Sequence, residues 1–288
     1  MADKEGNKLA KDYGIGVLPP SQDFHVKGLA HKEWGMQTRL SKIFQDDGRT
    51  IMLAFDHGYI MGPTAGLERL DLVIPPLLEY ADCLMATRGA LRSCIPPNCR
   101  KAIALRATAD TSVLKEDMSY GVLGVNIEDA IRLNADCMAV QCFVGAEGEL
   151  ASLENLSQAV NAGERYGIPV LGVTAVGKEM ERNAKYFGLA TRLLTELGAH
   201  IIKTYYCEDF EKVTAACPVP IVIAGGKKIP EKDALAMAYR AIQEGAAGVD
   251  MGRNVLQADK PKAMLEAIAM VVHQGMKPEK AYKNYLKL

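Results

Sequence analysis

From Thr50 onward, short apolar runs alternate with longer segments whose apolar residues recur with helical spacing. Each run is too short for a helix and is typical of a strand buried in a parallel sheet. We predict eight strands on this basis. They are Ile51–Phe55, Asp82–Ala86, Ala102–Arg106, Cys137–Phe143, Pro169–Thr174, His200–Tyr205, Pro220–Ala224 and Gly248–Met251.

The segments between the runs predict helices. Asn126 is a capping residue type ahead of a helical pattern, and Gly167, Gly198 and Gly245 stand where helices should stop. Eight β-α units favour a (β/α)₈ barrel. A doubly wound open sheet is the alternative, but it usually has fewer strands and a Gly-x-Gly-x-x-Gly after the first. The predicted helices include Gly66–Tyr80, Ile127–Leu133, Glu149–Tyr166, Glu179–Leu197, Glu231–Glu244 and Lys260–His273.

The first part of the chain has a different character from the rest. Residues 1–49 are polar and mixed, apart from a short amphipathic stretch near Met36 to Phe44. We predict that they form an N-terminal extension that packs on the barrel or on a neighbouring subunit. Residues 50–288 are then the catalytic barrel, since no linker or low-complexity tract divides them.

Composition limits the classes of partner. The 288 residues are 49% hydrophobic with a formal net charge of −1, so we expect neither nucleic acid nor a membrane surface as partner. No apolar run approaches the roughly 20 residues of a membrane helix, and the first residues lack a secretory apolar region. Seven cysteines without a Cys-x-x-Cys pair favour thiols in a reducing cytoplasm. The five histidines are scattered without the spacing of metal ligands, so we do not expect a metal site.

Lys203 is the first candidate for chemistry, because it lies inside the sixth apolar run. Lysine is rarely buried, and a desolvated ammonium loses its proton more easily, which frees the amine to attack a carbonyl. The alternative is a lysine that reaches the surface from the end of its strand.

Two glycine-rich turns follow the seventh and eighth runs. The first contains Gly225, Gly226 and Lys227, and the second contains Gly252 and Arg253. Glycine lets backbone N–H groups converge on an anion, and barrels most often build their phosphate site from these two loops. We therefore predict that these five residues bind a substrate phosphate.

Acid–base candidates follow the first run. Asp56 can orient a hydroxyl, move a proton or hold the lysine ammonium, although it can also form an internal salt bridge or cap a helix. His57 is the one histidine near the predicted active face. Cys142 ends the fourth run, but no histidine is visibly placed to activate it, so we interpret it as a buried apolar residue.

These motifs, taken in order, resemble the archaeal-type class I fructose-bisphosphate aldolases and their relatives over roughly residues 45 to 275. The resemblance implies a barrel, a Schiff-base lysine at Lys203, a first-strand acid at Asp56 and a phosphate site after strands seven and eight. The motifs are Leu53-Ala-Phe-Asp-His-Gly58, Val144-Gly-Ala-Glu-Gly-Glu149, Lys203, Ala224-Gly-Gly226 and Gly252-Arg-Asn254.

One position departs from the aldolase pattern. The family places a general acid/base tyrosine after strand five, and the matching segment here is Thr174-Ala175-Val176-Gly177, with Ala175 at the tyrosine's place. Retro-aldol cleavage removes a proton from a substrate hydroxyl, so the usual base for that step is missing.

The whole chain resembles an acyltransferase branch of this family. That resemblance implies transfer of an acetyl group from a phosphorylated dione to coenzyme A, leaving dihydroxyacetone phosphate. Coenzyme A is then a co-substrate, no cofactor is permanently bound, and the expected assembly is a homo-oligomer, a decamer. Two alternatives stay open: a class I aldolase acting on a ketose phosphate, and a non-catalytic sugar-phosphate sensor.

Overall fold

The structure, a computed structural model, describes residues 24–176 and 180–288. Eight parallel strands close into a barrel in the order β1-β10-β9-β8-β7-β6-β3-β2. The predicted (β/α)₈ barrel is thus confirmed, and the open sheet is excluded. The barrel strands are β1 (Thr50–Ala54), β2 (Cys83–Ala86), β3 (Ala102–Arg106), β6 (Cys137–Cys142), β7 (Val170–Thr174), β8 (Ile201–Tyr205), β9 (Ile221–Ala224) and β10 (Gly248–Met251).

The strands read as unbroken apolar runs because both of their faces are covered. One face lines the packed barrel interior and the other meets the surrounding helices, so β1, β3 and β7 are buried along their whole length. An alternation of polar and apolar residues would instead have indicated a sheet with one face exposed to solvent. The eight predicted runs match these strands to within one residue at every end.

The helices surround the barrel. Asn126 and Gly167 act as predicted: the Asn126 side chain accepts from the Asp129 N–H at 3.0 Å, and Gly167 ends its helix with φ at +66°. The helices are α1 (Trp34–Ile43), α2 (Gly58–Met61), α3 (Leu70–Val73), α4 (Arg88–Cys94), α5 (Ile127–Arg132), α6 (Glu149–Tyr166), α7 (Ala184–Glu196), α8 (Phe210–Ala216), α9 (Glu231–Gln243), α10 (Arg253–Leu256), α11 (Pro261–Gln274) and α12 (Pro278–Lys287).

Two local expectations are wrong. The predicted helix Gly66–Tyr80 is a short α3 followed by the 3₁₀ helix Pro75–Tyr80, because proline lacks the N–H that would continue the first helix. The helix expected from Glu179 begins at Ala184, where the Asn183 side chain accepts from the Tyr186 N–H. Glu179 itself lies outside the described residues.

A small hairpin also interrupts the predicted pattern. Strands β4 (Thr108–Asp110) and β5 (Gly121–Leu123) pair antiparallel between β3 and β6. Each has only three residues, too few to show a period of two. The loop that joins them reaches the mouth of the barrel, where Met118 and Ser119 line a cavity.

Residues 24–49 pack across the opposite, amino-terminal end of the barrel. Helix α1 buries Leu40 and Ile43 completely. Lys42 pairs at 2.9 Å with Asp136, directly before β6, and Arg39 donates to the Gly167 carbonyl oxygen at 3.2 Å, shortly before β7. These contacts close the bottom of the barrel, away from the ends where chemistry is expected. Residues 1–23 of the predicted extension lie outside the described part of the chain.

A histidine joins helix α11 to this same end. His273 contacts Asp47 through Nδ1 at 2.8 Å and Asp82 through Nε2 at 3.0 Å. Asp82 also accepts from the Ile51 N–H at 2.7 Å. The cluster thereby ties α11, the chain before β1 and the start of β2 together.

Candidate active site

A cavity of about 810 Å³ opens at the carboxyl ends of the barrel strands. The barrel brings together most of the residues predicted to carry function. The cavity is lined by Asp56, His57, Lys203, Gly225, Gly226, Gly252 and Arg253. Lys227 is exposed and is absent from the cavity lining.

Lys203 projects from β8 into the barrel and is only 8% exposed. Its Nζ lies 2.9 Å from Asp250 Oδ2, on β10, and 3.3 Å from Met85 Sδ, on β2. The lysine therefore points inward and does not reach the surface from its strand end. A cationic amine at this depth is held by one carboxylate and is otherwise poorly solvated.

Asp56 is held by a different partner. Arg106, at the end of β3, donates from Nε to Asp56 Oδ2 at 2.7 Å, and its Nη2 lies 2.5 Å from the same oxygen. Both side chains are buried. Burial by itself raises the pKa of Asp56, but the positive charges of Arg106 and Lys203 bring it below its usual value. The internal ion pair, one of the arrangements expected for Asp56, is thus present at the cavity wall.

His57 follows Asp56 and lies at the start of α2. It is partly buried, lines the cavity, and comes close to the second glycine turn at Gly252. Burial lowers the pKa of His57, and this outweighs the opposing effect of Asp56. The imidazole is therefore neutral at neutral pH and can accept a proton.

The two glycine turns lie side by side because they follow the paired strands β9 and β10, and one buried side chain joins them. Asn254 Nδ2 donates to the Gly225 carbonyl oxygen at 2.5 Å, and its Oδ1 accepts from the Ile229 N–H at 2.9 Å. Gly226 has φ at +67°, a conformation that favours glycine. Helix α10 begins directly after Gly252.

Close packing also explains the glycine at the end of β10. A Cβ on Gly252 would lie 2.4 Å from the Ala54 carbonyl oxygen and 2.9 Å from His57 Cε1. The turn can therefore approach β1 closely only without a side chain. Arg253 follows it on the cavity wall and can contribute positive charge and paired donors.

Three further polar residues are missing from the set predicted by sequence. Arg106 and Asp250 are charged residues inside apolar runs, the same signal that pointed to Lys203. Asn254 directly follows the second glycine turn and is completely buried. Which of these side chains meet depends on barrel closure, which no local pattern shows.

Cys142 behaves as predicted. It is completely buried, is absent from the cavity lining, and burial strongly raises the pKa of its thiol. A thiol held protonated in an apolar surrounding is a poor nucleophile.

Ala175 lines the cavity at the place where the aldolase pattern has its tyrosine. Gly177, from the same segment, lies outside the described residues. Two other phenols line the cavity, at Tyr59 and Tyr205. The Tyr59 hydroxyl donates to Asp110, and burial raises the pKa of this phenol, which makes it a weak acid.

A metal centre finds no support in the described part of the chain, where no group of three or more histidine, cysteine, aspartate or glutamate side chains could hold an ion. Likewise, no helix among residues 24–176 and 180–288 is long and apolar enough to cross a membrane.

Fold and cavity together define a (β/α)₈-barrel enzyme whose polar groups gather around a buried lysine at the carboxyl ends of the strands. The model of the DeoC/LacD family of aldolases matches residues 50–258, and the chain belongs to this family. The family resemblance inferred from the sequence is thereby confirmed.

Full-length relatives carry more specific names. The chain is 52% identical over 288 residues to the 3-hydroxy-5-phosphonooxypentane-2,4-dione thiolase of Yersinia enterocolitica, covering 99% of each protein. It is 54% identical, with the same coverage, to a protein of Pasteurella multocida named an uncharacterized aldolase.

Solved structures support the architecture. An archaeal fructose 1,6-bisphosphate aldolase superposes with a TM-score of 0.74 at 24% identity, covering 83% of this chain and 100% of its own. A fructose-bisphosphate aldolase of Slackia heliotrinireducens gives a TM-score of 0.78 at 19% identity, covering 93% and 96%. At this level of identity, the shared property is the fold.

Proposed function

We propose that this enzyme transfers the acetyl group of 3-hydroxy-5-phosphonooxypentane-2,4-dione to coenzyme A. The products are acetyl-coenzyme A and dihydroxyacetone phosphate, and the reaction belongs to the degradation of phosphorylated autoinducer-2. The observation that carries the proposal is the buried Lys203 in a cavity whose aldolase tyrosine is replaced by Ala175. The names of the full-length relatives support the substrate and the acceptor.

Lys203 forms a Schiff base with the ketone of the phosphate-bearing half of the substrate. The amine nitrogen bonds to the carbonyl carbon and water leaves, which gives a cationic iminium. The coenzyme A thiolate then attacks the acetyl carbonyl, and the bond between the acetyl group and the neighbouring carbon breaks. The electron pair passes to the iminium nitrogen, forming an enamine.

This cleavage needs no base for a substrate hydroxyl, which fits the loss of the phenol at Ala175. It needs instead a base for the thiol and a proton for the enamine carbon. His57 is suited to both, because its imidazole is neutral and lines the cavity. Protonation of the enamine carbon and hydrolysis of the iminium release dihydroxyacetone phosphate and restore Lys203.

The substrate phosphate binds at the two glycine turns. Backbone N–H groups around Gly226 and Gly252, together with the Arg253 guanidinium, offer the donors and charge that an anion requires. Lys227 is exposed and adds positive charge outside the cavity wall. The ion pair of Asp56 with Arg106 adds a further polar group to the same cavity.

We infer further that the enzyme acts in the cytoplasm as a homo-oligomer, a decamer. Five of the seven cysteines are buried free thiols, which suits a reducing compartment. Several large apolar side chains are exposed and suit contacts between subunits, among them Trp34, Leu114 and Leu150.

The activity is tested by incubating the full-length enzyme with the phosphorylated dione, with and without coenzyme A. Acetyl-coenzyme A and dihydroxyacetone phosphate should appear together, and only when coenzyme A is present. Lys203→Ala should abolish both products and the adduct that borohydride traps. Turnover of fructose 1,6-bisphosphate at comparable efficiency would favour an aldolase, and absence of turnover with any ketone phosphate would favour a sensor.

A further inference from the structure

Two buried carboxylates lie near Lys203, and their surroundings differ. Asp56 is ion-paired with Arg106 and accepts a hydrogen bond from its Nε, whereas Asp250 contacts Lys203 Nζ itself at 2.9 Å. Asp250 is 1% exposed, and its Oδ1 has no hydrogen-bond partner among the described residues. A buried polar atom without a partner is rare and calls for a functional explanation.

The electrostatic surroundings also distinguish the two acids, because they shift the pKa values of Asp56 and Asp250 in opposite directions. Burial raises the pKa of Asp250, and Lys203 opposes this only in part. The pKa of Asp56 lies below its usual value, although burial also acts on it, because Arg106 neutralises its charge. When the environments of two acids push their pKa values apart, the two are suited to different roles. Asp56 is suited to stay ionised, and Asp250 is suited to carry a proton.

We propose that Asp250 is the catalytic acid/base that exchanges protons with Lys203 during formation and hydrolysis of the Schiff base. This inference rests on the proposed function, because it assumes that Lys203 is the nucleophile. In Schiff-base formation and hydrolysis, Asp250 takes the place of Asp56, the first-strand acid expected from the sequence. Asp56 then keeps an electrostatic role beside Arg106.

The step balances as follows. The Lys203 ammonium gives a proton to the Asp250 carboxylate, which leaves a neutral amine and a neutral acid. The amine nitrogen bonds to the ketone carbon, the carbonyl π electrons move to oxygen, and a proton passes from nitrogen to that oxygen. The Asp250 acid protonates the resulting hydroxyl, the C–O bond breaks and water leaves. An iminium cation then lies beside the restored carboxylate, and hydrolysis reverses these steps.

The site favours this exchange because it involves no net charge. The ion pair before reaction and the pair of iminium and carboxylate after it both sum to zero, so a dry cavity wall does not have to stabilise an isolated charge. The 2.9 Å separation of Lys203 Nζ and Asp250 Oδ2 brings the two groups within reach of a proton transfer. The Met85 sulfur accepts no strong bond and leaves the amine free to turn toward substrate.

The test uses the product dihydroxyacetone phosphate and borohydride with no coenzyme A, and measures the rate of covalent adduct formation. Asp250→Asn keeps the shape of the side chain but cannot accept the proton, and we expect a loss of about 100-fold or more. In Asp250→Ala, added formate should restore a substantial part of the rate. A purely structural carboxylate would show no such rescue.

Asp136→Asn is the matched control, because it removes another buried carboxylate, at the amino-terminal end of the barrel. Its adduct rate should equal that of the unchanged enzyme. An Asp250→Asn rate within about threefold of the unchanged enzyme, or a loss that formate does not reverse in Asp250→Ala, overturns the proposal. Failure of the unchanged enzyme to form any adduct would instead overturn the function proposed for Lys203.

Discussion

Gly252 is the position where a single added methyl group should disturb the site most directly. The φ of Gly252 is −112°, so the cost of Gly252→Ala comes from contacts with its neighbours. The new Cβ would lie 2.4 Å from the Ala54 carbonyl oxygen, whereas an ordinary C···O contact is roughly 3.3 Å. Since that oxygen belongs to the backbone of β1, no side-chain rotation can relieve the contact.

The strands must therefore separate by close to 1 Å at this end of the barrel, or the turn must move outward. Overpacking of this kind typically costs about 1–3 kcal/mol of unfolding free energy, or roughly 2–10 °C of melting temperature for a domain this size. A displacement of about 1 Å at a binding site can also reduce activity by up to about 100-fold. Because the turn is proposed to hold phosphate, we expect a raised half-saturating concentration of dihydroxyacetone phosphate in the trapping assay.

Gly188→Ala is the matched control. Gly188 lies within α7, and its added Cβ would have no atom within 4 Å. Alanine is the better helix former by about 0.5–1 kcal/mol, so this variant should melt at or above the temperature of the unchanged enzyme. Suppose that Gly252→Ala also melted at or above the temperature of the unchanged enzyme and bound dihydroxyacetone phosphate normally. Close packing of β10 against β1 would then be refuted as the reason for this glycine.

Three other perturbations test the surrounding structure. Arg106→Met removes the ion-pair partner of the buried Asp56 and should cost about 3–5 kcal/mol of unfolding free energy, measured with urea. The double variant with Asp56→Leu should recover much of that loss, and an unchanged midpoint in Arg106→Met would contradict the importance of this ion pair. Burial lowers the pKa of His273, but its two carboxylate partners override this and raise it. The stabilisation of the folded state by protonated His273 is therefore complete below about pH 6.5 and is lost as the pH rises through the folded-state pKa. In the unchanged enzyme the melting temperature should fall over that rise in pH, and His273→Gln should flatten this fall. The control His31→Gln, at an exposed histidine, should leave it unchanged. Cys142→Ala should retain acetyl transfer within about twofold, and complete loss would make that thiol a nucleophile.

Most of the barrel was predictable because its signal is local. A strand covered on both faces is apolar throughout, and a helix on the barrel surface shows a repeat of 3.6 residues. The predictions failed where the signal was too short or was overridden. The three-residue strands at Thr108–Asp110 and Gly121–Leu123 have no readable period, and prolines divided the segment before Tyr80.

The candidate site was predictable residue by residue but not in its pairings. Lys203 stood out because a charge inside an apolar run is costly unless it is compensated. Arg106 and Asp250 are likewise charged residues within apolar runs and carry the same signal. The pairing of Lys203 with Asp250, and of Asp56 with Arg106, depends on side chains from strands far apart in the sequence.

The sequence by itself determined the number of barrel strands, the buried lysine and the two glycine turns, because each depends on residues close together along the chain. Only the tertiary structure decided which acid meets the lysine. Barrel closure sets β8 and β10 on either side of β9, and inward-facing residues then meet across the interior. Within that interior, the charges of Arg106 and Lys203 lower the pKa of Asp56 against the effect of burial, whereas burial raises the pKa of Asp250.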